Sequence, residues 1–347
     1  MKSPVGALLA AVSNRAPVPY ASRAHSRGPW WRPAGAEGQL RAMGSVGTLF
    51  AIVDRLATST AAPNWRMYRT AKPGQAPEDR QEVVSHAALD TWNRPNKFFT
   101  RSLLIETGQQ HFDLVGETWW VVARDPRFRV PLELWPVRPD RMEPQPDHDD
   151  YLVGYWYCGP DGERIPLGLD EVIMIRRPSP IDPYRGIGPV QTIRADLEGV
   201  RLSAEWNRNF FENSAEPGGL IESERRLSDD EFNEMRDRWQ EQHQGVANAH
   251  RVSIIENGAK WVDRKYTNRD MQFAELRDVG SKVIREAYGI PAFALGEVKD
   301  VNRATAEASS VWFAQQMTVP RLERIKQALN SQFLPLFGAT GDGVEFD

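Results

Sequence analysis

Apolar positions along the chain fall first into a helical period and then into a strand-like one. Val46, Phe50, Val53 and Leu56 recur at helical spacing, so 45–60 reads as a short helix, with a strand over Trp65–Tyr68 behind it. Val83, Ala87 and Leu89 mark a second helix over 79–92, and Arg101–Thr107 continues helically. The period then shortens. Glu117–Ala123, Pro131–Val137, Tyr151–Tyr157 and Ile165–Ile175 are β-rich with polar turns between them. Residues 113–177 are therefore a small sheet region dense in Trp and Pro, with a proline-rich loop leading to Asp147–Asp150.

The second half turns helical again. Pro189 stands where a first-turn proline is tolerated, and Val190, Ile193, Leu197, Val200 and Ala204 form one stripe of a helix over 189–211. That helix stops before Pro217-Gly218-Gly219, and Gly219–Ser223 is a short strand. Ser228-Asp229-Asp230-Glu231 is a capping box that opens a helix over 228–245, with Phe232, Met235 and Trp239 on one face and Gly245 as its C-cap. Arg251–Glu256 and Ala259–Arg264 read as a hairpin about Asn257-Gly258. Phe273, Leu276, Val279, Val283 and Ala287 stripe a long helix over 268–288, which Gly289-Ile290-Pro291 ends. A loop over 292–302 leads to a last helix that begins at Asn302–Thr305 and runs to Phe333. Pro320 lies inside that helix, where it removes one backbone hydrogen bond and crowds the preceding turn, which predicts a kink. A Gly-rich acidic tail, 334–347, follows, and no internal repeat is visible.

Composition narrows the function classes. The 347 residues are 41% hydrophobic and 26% charged, enough for a substantial core in one large or two ordinary domains. Lys and Arg number 43 against 47 Asp and Glu, a net charge of −4, which opposes gripping DNA by bulk positive charge. What basic excess exists is concentrated in residues 1–43, where Lys2, Arg15, Arg23, Arg27, Arg32 and Arg41 face only Glu37. With its prolines and glycines this stretch reads as a basic flexible N-terminal arm, either a solvated tail or a contact to nucleic acid or a neighbouring subunit. Val5–Val12 behind Lys2 has the outline of a signal peptide but lacks a cleavage site, so the arm is the better reading. No apolar run reaches the roughly 18 residues of a membrane span. The single cysteine, Cys158, rules out an intrachain disulfide and a four-cysteine zinc site, and fits a reducing compartment.

Catalytic motifs are scarce. There is no GxxxxGK[ST] loop, Gly186-Ile187-Gly188 lacks the third glycine of a dinucleotide loop, and no GxSxG elbow is present. None of the six histidines has metal-ligand spacing, so no metal or cofactor is expected. Asp147-His148-Asp149-Asp150 could gather oxygen ligands for a divalent cation and serve a metal-dependent nuclease or other phosphodiesterase; a polar turn is the simpler reading. Trp30-Trp31 and Trp119-Trp120 could stack on bases, but such residues more often anchor cores and subunit interfaces.

Several segments of the second half, in order, carry a resemblance. They are Asp182-Pro183-Tyr184-Arg185-Gly186-Ile187-Gly188-Pro189; Phe210-Phe211-Glu212-Asn213-Ser214-Ala215-Glu216-Pro217-Gly218-Gly219; Trp239, Gly245, Asn248-Ala249 and Arg251; Glu275, Arg277, Ile284, Tyr288–Pro291 and Leu295-Gly296; and Pro320, Leu322, Ile325 and Leu329-Asn330. No single one is specific, but their order and spacing resemble phage portal proteins of the HK97-like group. The resemblance implies an α+β portal-type subunit with a β-rich and helical wing (44–227), stem helices at 228–245 and 268–289, a small β clip (246–267), a tunnel loop (291–303) and a long kinked helix (304–333) returning to the wing, with any C-terminal crown short or absent. It further implies a homo-oligomeric ring, usually of twelve, at the capsid vertex of a virion assembled in the host cytoplasm. Double-stranded DNA would occupy the channel, and terminase, the major capsid protein and a head–tail connector or adaptor would dock, with no enzyme activity, cofactor or membrane. Under this reading Lys282, Arg285, Lys299 and Arg303 are channel candidates, with surface or inter-subunit salt bridges the alternative for each. Asn248, Arg251, Asn257, Gly258 and Lys260 are docking residues of the clip, and Gly186, Pro217, Gly289, Pro291 and Pro320 are structural.

Overall fold

A β-strand at Glu117–Arg124 is buried along nearly its whole length, because a hydrophobic core lies on each of its faces. Strand side chains alternate in direction, so the adjacent Trp119 and Trp120 enter different cores. The computed structural model describes residues 35–71, 79–212, 220–222, 228–243, 260–262, 272–296 and 303–347. The chain divides into two compact units, one holding the described residues up to Arg194 together with Arg285–Asp347, the other Ala195–Ile284.

In the first unit the elements begin with α1 (Ala36–Ala42), α2 (Gly47–Ala61), β1 (Met67–Arg69), α3 (Ala87–Asn93) and α4 (Arg101–Val115). Next come the strands β2 (Glu117–Arg124), β3 (Pro131–Val137), β4 (Met142–Asp147), β5 (Tyr151–Cys158), β6 (Arg164–Leu167) and β7 (Val172–Arg176), and then the short helix α5 (Pro189–Thr192). β2 is the central strand of an antiparallel sheet in the order β3-β2-β7, with Trp119 opposite Val137 and Met174. A second antiparallel sheet, β4-β5-β6, lies over one face of the first; Trp119, Val121, Met142, Tyr155 and Leu167 fill the space between them. The other face packs on helices. Trp92 is fully buried there, with its ring 5.6 Å from Trp65, 5.4 Å from Trp120 and 6.3 Å from Phe346. The Trp119-Trp120 pair is thus core in this fold; Trp30-Trp31 lies outside the described residues.

α2 matches its sequence pattern. Leu49, Ile52, Val53 and Leu56 are fully buried at helical spacing, and the one buried hydroxyl beside them, Thr60, donates to Leu56 O at 2.8 Å. Thr100 caps α4 by accepting from Leu103 N, and Gly116 ends it in the left-handed conformation, φ 91°.

Several expectations need correction. Only Ala87–Asn93 of the expected 79–92 helix is helical. Residues before it are extended against β1: Val83 N donates to Met67 O and Arg69 N to Gln81 O, and the His86 ring caps Ala88 N. The paired β-branched Val83-Val84 favours that extended form over a helix. The proline-rich stretch before Asp147 is not a loop but the edge strand β4, where Pro144 and Pro146 cost little because one side of the strand has no partner. The expected 189–211 helix breaks at Ile193, where Thr192 Oγ1 donates to Pro189 O and competes with the backbone for that carbonyl. Ala36–Ala42, read as part of a flexible arm, is α1, docked by Arg138, which approaches Glu37 at 3.7 Å. The acidic end of the chain is also built in: β10 (Val344–Phe346) pairs with β1, Phe346 is fully buried, and Asn330 bonds both the N–H and the carbonyl of Phe346. Arg80 holds Glu345 at 2.7 Å and Asp347 at 2.6 Å.

The last long helix begins as α9 (Arg303–Phe313), passes through a π-helical turn at Ala314–Thr318, and continues as α10 (Val319–Ala328) into a second π turn at Leu329–Phe333. Pro320 therefore falls in the first turn after a π segment, where its missing N–H and its ring are accommodated by a locally wider helix.

The second unit holds most of α6 (Arg194–Glu212), β8 (Leu220–Glu222), α7 (Asp229–His243), β9 (Lys260–Val262) and most of α8 (Gln272–Tyr288). The Ser228 box forms: Ser228 N donates to Glu231 Oε2 at 2.9 Å and Glu231 N to Ser228 Oγ at 3.4 Å. β9 pairs antiparallel with β8, placing Lys260 opposite Glu222. The expected partner segment, 251–256, lies outside the described residues, as does Gly245. α8 touches α6 through Gly280, where a methyl group would come within 2.5 Å of Val200 Cγ2.

Candidate functional site

The Asp182–Pro189 motif is held by backbone-to-backbone packing that only glycine permits. A methyl group on Gly186 would lie 2.2 Å from Gly116 O, and one on Gly188 would lie 2.2 Å from Leu114 O. Glu117, almost fully buried, receives Gly186 N at 2.6 Å, Arg185 Nε at 2.9 Å and Trp119 Nε1 at 3.0 Å. Burial pushes its carboxyl pKa up, against the pull of Arg185 and of those hydrogen bonds. Arg185 reaches on to Met142 O at 2.6 Å and Pro139 O at 3.4 Å, tying this loop to the start of β4.

A second buried acid organises the helical side. Asp113 on α4 is fully buried; its Oδ2 accepts from Gln109 Nε2 at 2.7 Å and its Oδ1 from Arg321 Nη2 at 3.1 Å, with Arg177 Nη2 at 3.7 Å. Its backbone carbonyl accepts from Tyr288 Oη at 2.8 Å. Burial raises the Tyr288 pKa and lowers that of Arg177. The end of α8 is closed beside this node: Gly289, at φ 64°, lets Ile290 N reach Arg285 O and Gly289 N reach Glu286 O, and Pro291 prevents continuation.

Sequence reasoning passed over Asp113, Glu117, Arg177 and Arg321. A usable signal existed for the acids: Asp113 interrupts the run Phe112-Asp113-Leu114-Val115, and Glu117 opens a strand whose middle, Trp119–Ala123, is apolar. A charge inside an apolar element implies a buried partner. Nothing local named the arginines, because they come from distant segments.

The expected site residues are scattered. Lys282 is exposed on α8, Arg285 is half-buried one turn on, and Arg303 opens α9. Lys299, Asn248, Arg251, Asn257, Gly258 and Pro217 lie outside the described residues. The Asp147–Asp150 cluster is a hairpin tip between β4 and β5. Asp147 Oδ2 accepts from Asp149 N at 3.0 Å and Asp150 N at 3.2 Å, bonds that hold its carboxyl pKa below the usual range. Among the described residues no group of three or more His, Cys, Asp and Glu side chains is placed to hold a metal ion. No described helix is long and apolar enough to cross a membrane.

A model of the phage portal protein family matches residues 47–347, which takes in the Glu117 clamp, the Asp113 node and the closed end of α8. The chain belongs to that family. Among curated relatives of the chain, an uncharacterized protein of Rickettsia felis is 25% identical over 199 residues, covering 55% of this chain and 51% of the relative. The probable portal protein of Streptomyces phage phiC31 is 28% identical over 169 residues, 47% of this chain and 35% of the phage protein. The match thus spans about half of the first relative's length and about a third of the second's. Among solved structures, a chain in the virion of a native gene transfer agent particle superposes with a TM-score of 0.65 at 25% identity, covering 91% of this chain and 84% of that one. A chain in the neck of such a particle, computed with C12 symmetry, gives 0.65 at 24% identity over the same shares. An HK97 family phage portal protein from Corynebacterium diphtheriae gives 0.58 at 15% identity, with 88% and 92% covered, a likeness of fold.

The buried groups of the first unit generate two predictions. Asp113→Asn leaves Arg321 and Arg177 without a countercharge, and the chain should lose about 3 kcal/mol of stability, read as a lower urea midpoint at unchanged slope; a loss within experimental error would show that the charge is dispensable. His111, buried on α4, has its pKa pushed down from 6.5 to about 3 by burial, with Arg138 adding to the effect. The unfolded chain then binds more protons than the folded one between those values. The stability contributed by neutral His111 is present above pH 6.5 and is lost as pH falls, by at most about 1.4 kcal/mol per pH unit. His111→Phe should flatten the melting temperature against pH between 6.5 and 4, and an unchanged slope would refute the assignment.

Proposed function

We propose that this chain is the repeating subunit of a portal ring at a capsid vertex, a passive conduit for double-stranded DNA and a docking platform for terminase, capsid protein and a head–tail connector. The family match over residues 47–347 is the observation that carries this reading. The C12 symmetry of the neck whose subunit shares the fold supports twelve copies. Net charge supports a conduit: at −4 per chain, the wall avoids the phosphate-by-phosphate grip that counterion release would give a basic channel.

The contact of Gly280 with Val200 favours α6 and α8 as the two-helix stem, in place of α7 with α8. The β8–β9 pair, with α7 between its strands in sequence, would then belong to the clip. Lys282 and Arg285 lie on the second of these stem helices, and Lys299 and Arg303 fall within the tunnel-loop stretch 291–303; all four are proposed as weak contacts to the DNA backbone. A non-enzymatic role accords with Asp147, whose carboxylate is occupied by the turn it caps.

Native mass measurement tests the ring. Twelve copies of 39.3 kDa give about 470 kDa, and negative-stain images should show a central hole wide enough for duplex. A compact dimer with chelator-sensitive nuclease activity would overturn the reading. For the channel assignment, Lys299→Ala combined with Arg303→Ala should leave ring mass unchanged while reducing packaging or DNA retention; wild-type levels of both would remove these residues from the channel.

A further inference from the structure

Two arginines converge on a single carboxylate, and a third lies beside them over the Phe112 ring. Arg177 and Arg321 share Asp113 Oδ1, at 3.7 and 3.1 Å. Arg324, one turn along α10 from Arg321, has no ion pair or hydrogen bond among the described residues; its guanidinium lies over the Phe112 ring, 4.9 Å from the centroid. Arg177 is 5.3 Å from the same ring. Burial, then Arg177 and Arg321, depress the proton affinity of Arg324, the mark of cations crowded together without enough anions.

These side chains border a shallow concavity that is partly open to solvent, lined by Gln109, Phe112, Trp120, Arg321 and Arg324 with three isoleucines as apolar walls. Its donors outnumber its acceptors. Trp120 Nε1, on a residue 1% exposed, and Arg321 Nε are buried without a hydrogen-bond partner. Gly108 keeps the floor open, since a methyl group there would come within 3.1 Å of Trp120 Nε1. Both Asp113 oxygens are already engaged, and among the described residues neither the Arg324 fork nor the two unpaired N–H groups has a hydrogen-bond partner. Buried donors left unmet are costly, and planar guanidinium forks are matched best by a carboxylate.

We propose that this concavity is a socket for a carboxylate side chain presented by a second copy of the chain, so that Arg324 and Trp120 receive their missing acceptor when the ring closes. The proposal rests on the ring reading above. A protein carboxylate fits better than DNA: the concavity is too small for a duplex backbone, in which neighbouring sugars and phosphates flank every charge. The chain also has acids to spare, with 47 acidic against 43 basic residues.

Two experiments test it. A cryo-EM map of the assembled full-length ring should place an Asp or Glu of the neighbouring copy within about 3 Å of the Arg324 guanidinium. A DNA phosphate there, or solvent alone, would overturn the proposal. Second, Arg324→Gln should leave the melting temperature of the isolated chain unchanged or raised, because it relieves repulsion from Arg177 and Arg321. The same variant should lower the fraction of ring at fixed concentration by about tenfold. Equal loss in the isolated chain and the ring would make Arg324 a packing residue and sink the proposal. Should the wild-type chain form no ring, the ring reading fails by itself, and the socket is judged with acetate. Sodium acetate, against sodium chloride at equal ionic strength, should raise the melting temperature of wild type and not of Arg324→Gln; identical responses would reject an anion site.

Discussion

The carboxylate of Asp113 is the constraint around which the helical side of the first unit is arranged. It sits near the C-terminal end of α4 with no access to water, so its burial is costly unless other segments deliver hydrogen bonds to it. Gln109 comes from the same helix; Arg177 follows β7, Arg321 begins α10, and Tyr288 ends α8 and bonds the backbone of the same residue. Four segments far apart in sequence must therefore meet at one point, or a buried charge is stranded at a cost of several kcal/mol. Such a node adds little net stability over a well-packed apolar substitute. What it adds is a penalty on every alternative arrangement of those segments. The Glu117 clamp does the same for the loop before α5, where three glycine backbones leave no room for any other spacing.

The folding energy itself comes from elsewhere. β2 separates two cores, and aromatic residues dominate both: Trp92 with Trp65, Trp120 and Phe346 on the helical side, Trp119 against Tyr155 at 5.1 Å on the other. Truncating one such residue costs about 3–5 kcal/mol, several times the net worth of an ordinary hydrogen bond. Apolar burial thus drives the fold, and the two buried acids select which fold it is. The cysteine-poor, tryptophan-rich composition is consistent with a chain stabilised by packing and not by covalent cross-links.

Much of this was legible from local pattern. α2, β2, β3, β5, the Ser228 capping box and the Gly289-Ile290-Pro291 stop all obey short-range rules that a single sequence displays. Most of the errors share a physical origin, a partner supplied by another segment of the chain. Residues 81–86 are extended because β1 offers a backbone edge, and β4 tolerates two prolines only because it lies at a sheet edge. The acidic end becomes a strand because Asn330, Arg80 and Lys326 hold it. The π turns beside Pro320 are invisible to a periodicity of 3.6. The Asp113 and Glu117 networks could be suspected from acids in apolar runs, but their arginines could not be named without the fold.

Rigidity at these places bears on the proposed ring. A cyclic assembly of identical subunits closes only if the angle between neighbours is the same at every interface, and any error per subunit is multiplied around the circle. A soft wing would spread that angle and favour open chains or mixed ring sizes. Backbone-to-backbone contact at Gly116, Gly186 and Gly188 leaves no lateral play, and a strand packed on both faces resists bending. In the arginine concavity beside Phe112, three cations face one buried carboxylate. Charge held in reserve on so stiff a frame can lock an interface only when a partner arrives in the right orientation, which is the selectivity that a closed ring demands.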